Sequence, residues 1–298
     1  MTDLLFRMGL SNACFALALA IVAMLAGAKA KRPHLTHMLW LLVFVKLMTP
    51  PILTIPVGLF TGQPNFVVVT DDHGFTTDEH PVPAEQVQAF SSSLRSGALL
   101  HRAKPWLVSI WLLGGGVVLA WSLRRVYRFG RLLASESETA PPELQTVAVK
   151  LSRRLGVKTL PVICTTSARL SPMVWWTGRK VRVIIPAALL DELDTQQSQW
   201  ILAHELAHVR RRDHLVRWLE WLACVCFWWN PVVWWAQRNL RATEEVCCDD
   251  LVISCLNPKP KFYADSLLSA VEFLAQPVFR APAVASEINS GGFLESSS

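Results

Sequence analysis

The stretch DTQQSQWILAHELAHVRRR, Asp194 to Arg212, holds both a helix start and a chemical signature. Asp194 precedes an apolar-periodic run and Gln197 stands three residues on, the arrangement of an N-cap with a capping box. Within the helix so begun lies His204-Glu205-Leu206-Ala207-His208, an H-E-x-x-H pattern that chance would produce in about one per cent of chains of this composition. His204 and His208 are one turn apart on the same face, so two imidazoles can take adjacent corners of a zinc tetrahedron. Glu205 then stands beside the metal but not on it, where it can take a proton from water. The bland alternative is an amphipathic helix with ordinary surface histidines. Leu202, Ala203, Leu206 and Ala207 surround the polar groups with apolar side chains, an order that a solvated face does not require.

A catalytic zinc needs three protein ligands and an open position. The downstream candidates are Glu244 and Glu245 in Glu244-Glu245-Val246-Cys247-Cys248-Asp249-Asp250. Only Glu245 is followed one turn later by an Asp, and Asp249 can accept the second N–H of a zinc-bound histidine and fix its ring. Glu245 is therefore the expected ligand, Asp249 its supporting carboxylate, and Glu244, pointing about 100° away, is expected to matter little for metal binding and proteolysis. The carboxylate cluster taken alone reads as a solvated acidic helix end. If one helix ran unbroken from Gln196 to the Asn230-Pro231 turn, His208 would lie about 33 Å from that turn and Glu245 about 21 Å, too far apart to share a metal. A bend is therefore expected between Arg210 and Trp218.

Outside this core the chain reads as membrane protein. Its 298 residues would suit two soluble domains, but 52% are hydrophobic and only 17% charged, well below the usual soluble balance. The net charge of +6 would fit a nucleic-acid binder, yet the basic residues sit beside apolar runs, so membrane topology explains them and no direct nucleic-acid binding is expected. Met8 to Ala28 carries no charge and is long enough to span a bilayer, with a cleaved signal peptide ending near Ala26-Gly27-Ala28 as the alternative. Met38 to Phe60 forms a second expected span, kinked by Pro50, Pro51 and Pro56, with Lys46 snorkelling or paired. Residues 61–104 read as an acidic polar loop, and Pro105 to Leu123 as a third span. Lys29, Lys31 and Arg32 follow the first span and Arg124, Arg125, Arg128 and Arg131 the third. The positive-inside rule therefore puts the N-terminus and the acidic loop outside and residues 124–298 in the cytoplasm.

In that cytoplasmic part a linker at Ser135 to Pro142 leads to a helix over Glu143 to Leu155, stopped by Gly156. Short β-type runs follow at Pro161 to Thr165, Met173 to Trp176 and Val181 to Ile185, the last two joined as a hairpin around Thr177-Gly178. The seven cysteines form no paired framework and none lies in the acidic loop, as suits reduced cytosolic thiols; adjacent Cys247 and Cys248 read as buried small hydrophobes. Leu215 to Ala236 concentrates six tryptophans around Asn230-Pro231. Its uncharged part, Trp221 to Ala236, is short for a span, so two helices dipping into the cytoplasmic interface are expected, with a full fourth span as the alternative. Tyr263 could donate to an oxyanion, although packing along Leu267, Leu268 and Val271 reads better. Arg210, Arg211 and Arg212 read as a membrane-facing basic cluster.

His204 to His208, Arg211, Asp213, Asn230-Pro231 and Glu245-x-x-x-Asp249, with the three upstream spans and Ser171-Pro172 through Gly178, resemble the membrane-embedded gluzincin peptidases of the BlaR/MecR type. Proteins of that kind cut cytosolic repressors, and often themselves, after an outside signal. The resemblance implies an α-helical membrane protein with a cytoplasmic α+β gluzincin-like zinc metallopeptidase domain, in which His204, His208 and Glu245 hold Zn and Glu205 is the catalytic acid/base. It also implies a multi-pass protein of the bacterial plasma membrane, in contact with lipid on all spans, whose partner is a cytosolic protein substrate such as a DNA-binding repressor; a homodimer is a further expectation. The sensor members carry S-x-x-K, S-D-N and K-T-G motifs. None occurs in these residues, so β-lactam sensing is not expected of them. A housekeeping membrane protease and a non-enzymatic scaffold are the two readings from other classes, and an intact Glu205 argues against the second.

Overall fold

Apolar run length and capping chemistry explain most of the elements. The structure, a computed structural model, describes residues 2–29, 32–49, 84–275 and 286–287. Residues 1–13 with 50–113, and 14–49 with 114–298, form separate compact units, and all that follows on the sheet and the site concerns the second. The N-terminal helix α1 runs Thr2–Lys29, and α2 runs Pro33–Met48, its Pro33 at the first turn where a missing N–H costs nothing. The second expected span is thus helical from Pro33 rather than Met38, and Pro50, Pro51, Pro56 and the acidic residues at 71–79 lie outside the described residues. Lys46 holds its Nζ 5.4 Å from the centroid of Phe15, so its charge is paired with a ring face.

Helix α3, Ala84–Glu136, corrects the reading of a loop over 84–104, while residues 61–83 lie outside the described residues. Composition carries the reason: Ala84-Glu85-Gln86-Val87-Gln88-Ala89 are good helix formers set just after Pro83. Over 84–104 the polar residues, among them Glu85 and the serines, make the stretch polar without making it irregular. Among the described residues one helical stretch, Trp106–Glu136, is long and apolar enough to cross a membrane, while Asn12–Gly27 and Pro33–Met48 are shorter apolar helices.

Strand β1, Ser137–Thr139, forms where a linker was expected, and α4, Pro142–Leu155, ends at Gly156 in the left-handed region at φ 72°. Then come β2, Val162–Thr166, β3, Met173–Trp175, β4, Arg182–Pro186, and a short α5, Ala187–Glu192. The turn between β3 and β4 uses Gly178 at φ 88°, and the two strands pair antiparallel with Val174 opposite Val183. β2 runs parallel to β4, and a two-residue strand β5, Ser286–Glu287, adds to β3, giving a mixed sheet in the order β1-β2-β4-β3-β5.

Four helices follow: α6, Thr195–Arg211, α7, Asp213–Cys226, α8, Pro231–Leu256, and α9, Pro260–Ala275. Asp194 and Gln197 form both bonds of the capping box that opens α6. Arg212, in the left-handed region at φ 64°, separates α6 from α7, so the chain turns within the window Arg210 to Trp218. Asn230 caps α8 through Val232 N–H, and Pro231 occupies its first turn. One core packs α4, α6, the C-terminal half of α8 and α9 against β2–β4, through Leu206, Ile201, Val183, Cys248 and Phe273. A second joins α1, α2, α7 and the N-terminal half of α8 through Ala20, Trp40, Phe44, Val233 and Leu240. Helix α8 belongs to both, and Glu245 lies between its two halves.

Candidate metal centre

The H-E-x-x-H turn of α6 is fully enclosed: His204 is 2% exposed and Glu205 and His208 are 0%. The two imidazoles stand edge to face, with centroids 5.0 Å apart. From α8, Glu245 brings Oε2 to 3.2 Å from His204 Nε2 and 3.8 Å from His208 Nε2. One donor atom from each of the three lies within 4.8 Å of the others. His208 Nε2 and Glu245 Oε1 are buried without a hydrogen-bond partner. Orphaned buried donors and acceptors are costly and uncommon. Here they converge on one point with the two-imidazole, one-carboxylate chemistry that zinc takes in its catalytic sites, so the residues present fit that ion.

Both rings are held from behind. His204 Nδ1 lies 3.1 Å from Asp249 Oδ1 and 3.1 Å from the Tyr263 hydroxyl, which itself donates to Asp249 Oδ1 at 2.7 Å. Asp249 thus stands behind His204, a histidine that the sequence had left unspecified. Tyr263, for which packing was the favoured reading, holds its hydroxyl on the Nδ1 side of His204, where it buttresses Asp249. Packing explains part of its position, since Trp200 meets its ring edge-on at 6.3 Å.

His208 has a partner that helical periodicity could not reveal. Asp213, 1% exposed at the start of α7, places Oδ2 2.8 Å from His208 Nδ1, and the Arg211 Nε–H donates to the same oxygen at 3.3 Å. Cys248 Sγ completes the pocket at 3.2 Å from His208 Nδ1 and 3.4 Å from Asp213 Oδ2. Carboxylates behind both Nδ1 atoms favour the tautomer that leaves each Nε2 free for a metal. Arg211 is accordingly turned inward, unlike its expected place in a membrane-facing cluster.

The electrostatics follow from this packing. Burial disfavours charge on His204, but its hydrogen bonds to Asp249 and Glu245 outweigh burial and hold it well above the ordinary histidine value. His208 is raised too, as Glu245 and Asp213 overcome burial. Burial alone would raise Asp213, yet the bond to His208 and the charges of His208, Arg211 and Arg217 bring it down to about 2. Glu245 and Asp249 are lowered against burial by the two histidines. Cys248 is pushed well up by burial and the nearby carboxylates, so it is a neutral thiol.

Glu244 points away from the metal cluster and is buried on its own account. It is 0% exposed, its Oε2 lies 2.8 Å from Arg217 NH2, and Arg217 also faces Glu220 at 3.6 Å. Its Oε1 lies 3.9 Å from His37 Nε2 on α2. Glu244 is thus a buried ion-pair partner, because the face of α8 next to that of the ligand also lies against protein.

Comparison with known proteins accords with this geometry. Over 241 residues, 78% of the chain, it is 22% identical to the methicillin resistance mecR1 protein of Staphylococcus aureus, covering 40% of that protein. It is 23% identical over 175 residues to the regulatory protein BlaR1 of Bacillus licheniformis, 58% of this chain and 28% of that one. A protease HtpX homolog of Pyrococcus abyssi is 28% identical over 114 residues, 37% of this chain and 35% of that protein. The chain thus spans well under half the length of these relatives. The family model described as BlaR1 peptidase M56 matches residues 4–290, nearly the whole chain, and the protein belongs to that peptidase family.

Proposed function

We propose that the chain is a membrane-bound zinc metalloendopeptidase that hydrolyses a cytosolic protein, a transcriptional repressor, in transmembrane signalling of antibiotic-resistance type. The observation that carries the chemistry is the convergence of His204 Nε2, His208 Nε2 and Glu245 on one point while Asp249 and Asp213 support the two rings from behind. In this reading His204, His208 and Glu245 hold the metal. Zinc, when bound, would supply the Lewis acidity that polarises a scissile carbonyl and lowers the pKa of water toward 7. Glu205 accepts the proton of the attacking water and returns it to the departing amine. Asp249 with Tyr263, and Asp213 with Arg211, keep the imidazoles oriented, and Cys248 fills space as a neutral thiol.

What supports the signalling role is the likeness to proteins named for regulation and for methicillin resistance. What supports the bilayer is the stretch Trp106–Glu136, with the shorter apolar helices α1 and α2 as the other two spans of a multi-pass protein whose site faces the cytoplasm. The likeness to protease HtpX homologs favours a second reading, a membrane protease of the same chemistry with no repressor partner. The test uses the full chain in detergent: the purified protein should bind about one zinc and cleave a repressor offered as substrate, and Glu205→Gln should keep the zinc and lose cleavage. A wild-type chain that takes up no zinc sinks the enzyme reading; one that cleaves general unfolded substrates and no repressor favours the second.

A further inference from the structure

At the end of α6 three separate pieces of chain bring cations to one cleft of about 890 Å³. Lys158 comes from the α4–β2 connection, Arg179 and Lys180 from the β3–β4 turn, and Arg210 and Arg212 from the end of α6. All five are exposed, and no carboxylate is among the lining residues. Arg211, the neighbour with an acidic partner, is turned inward to Asp213. The site arises because Arg212 adopts a left-handed conformation that a residue other than glycine seldom takes, which swings it out between α6 and α7.

Two contacts fix the depth of this cleft along α3. The tip of the α7–α8 hairpin lies in the apolar part of α3: Gly114 is a glycine where any Cβ would collide with the Trp228 indole. From that tip α7 runs back for 14 residues, roughly 21 Å, which on an antiparallel α3 reaches about Arg128. Independently, Trp175 at the end of β3 stacks edge-on against Phe129, with centroids 5.1 Å apart, and Trp218 of α7 meets Trp176 at 6.4 Å. Both routes bring the start of α7 and the β3–β4 turn level with Arg124 to Arg131, the basic stretch that follows the apolar part of α3. With α3 crossing a bilayer, that is the level of the cytoplasmic headgroups, and tryptophans at that level are the usual interfacial anchors.

We propose that the cleft walled by Lys158, Arg179, Lys180, Arg210 and Arg212 binds the phosphate headgroup of an anionic phospholipid of the cytoplasmic leaflet. This rests on the reading of α3 as a span. Basic pockets on the cytoplasmic side of membrane proteins suit such headgroups, whereas zwitterionic lipids offer them no net charge. Arginine supplies forked donors for phosphate oxygens, and a bound lipid would hold the turn after the H-E-x-x-H helix against the membrane surface.

The experiment uses the full chain in detergent, with native mass spectrometry reading retention of added phosphatidylglycerol against phosphatidylcholine. The wild type should hold phosphatidylglycerol preferentially, and Lys158→Gln/Arg179→Gln/Lys180→Gln should lower its retention by roughly a hundredfold, at about fivefold per cation, with zinc content and melting temperature unchanged. Arg179→Lys should keep most of the binding. Equal retention of the two lipids, or a triple variant that retains phosphatidylglycerol as the wild type does, overturns the proposal. So does displacement of the lipid by millimolar inorganic phosphate, or by a Glu-rich peptide that binds in its place and loses binding in the same variant. Alkaline carbonate extraction of cell membranes separately tests whether α3 anchors the chain; a chain released there removes the span, while the lipid assay in detergent still reports on the cleft.

Discussion

His208 and Asp213 belong to different helices, yet His208 Nδ1 and Asp213 Oδ2 are 2.8 Å apart across the left-handed Arg212. The break between α6 and α7 therefore does two things: it frees the chain to return α8 to the histidines, and it points the first carboxylate of α7 back at the second histidine. Loss of a carboxylate behind a ligating histidine typically costs 10- to 100-fold in metal affinity or activity. Asp213→Ala should show such a loss by chelator competition, and Asp213→Asn, which keeps an oxygen to accept from Nδ1–H, a smaller one. A variant that binds zinc like the wild type would reduce Asp213 to a helix-start residue.

The neighbours Glu244 and Glu245 should fail in different ways. Glu245→Ala removes a donor from the cluster and should lower zinc content and activity together. Glu244→Ala takes from Arg217, whose side chain is 3% exposed, the nearer of its two carboxylates and leaves only Glu220 at 3.6 Å to offset a buried charge. Breaking one side of a buried pair costs about 3–5 kcal/mol. That corresponds to a melting temperature roughly 6–20 °C lower, while the fraction that stays folded should still hold its metal. Metal analysis beside thermal unfolding separates the two, and zinc loss in folded Glu244→Ala with retention in Glu245→Ala would reverse the ligand assignment.

What was legible in the sequence was local, and what was not depended on distant parts of the chain. The capping box of α6, the Gly156 stop and the β3–β4 turn each rest on a few neighbouring residues whose chemistry admits one conformation. The need for a bend after Arg210 followed from helix rise alone, without any view of its geometry. Asp213 stood among the residues of the family resemblance, but its role escaped because it exists only once the helix has turned, and no 3.6-residue period crosses such a break. The burial of Glu244 escaped for the complementary reason. A carboxylate on the far face of a helix reads as solvated unless one knows that Arg217 and α2 cover it. Residues 84–104 were misjudged because polarity was taken as irregularity, whereas helix propensity and hydropathy are separate properties.

Acidity should act in opposite directions on the metal-free and zinc-loaded protein. His204 and His208 are raised above the ordinary value of 6.5 in the metal-free cluster. The stability they contribute is fully present below 6.5 and is lost as pH rises through their raised values. Asp213, Glu245 and Asp249 are lowered, so their contribution is present above about 4 and is lost as pH falls through the lowered values, about 2 for Asp213. The metal-free site should therefore be most stable between about pH 4 and 6.5. Zinc needs neutral imidazoles, so its affinity rises with pH just where the metal-free cluster weakens. Melting curves from pH 5 to 8 with and without chelator should show a zinc-induced stabilisation that grows with pH. A stabilisation constant across that range would mean that protons do not compete at His204 and His208.

The orientation of the chain decides whether the substrate can be cytosolic at all. Lys29, Lys31 and Arg32 follow the apolar stretch of α1, and Arg124, Arg125, Arg128 and Arg131 follow that of α3. With a second span between them, both clusters fall on one side, and the positive-inside rule makes that side the cytoplasm. Alkaline phosphatase fused after Glu85, ahead of the apolar part of α3, should therefore be active, and the same reporter fused after Glu143, in the first turn of α4, inactive. Replacing Arg124, Arg125, Arg128 and Arg131 by Gln should weaken that contrast, because the rule counts basic residues close to the ends of the span. The reverse pattern in the unsubstituted chain would leave His204, His208 and Glu245 outside the cell, with the fold and the metal site intact but no cytosolic repressor within reach.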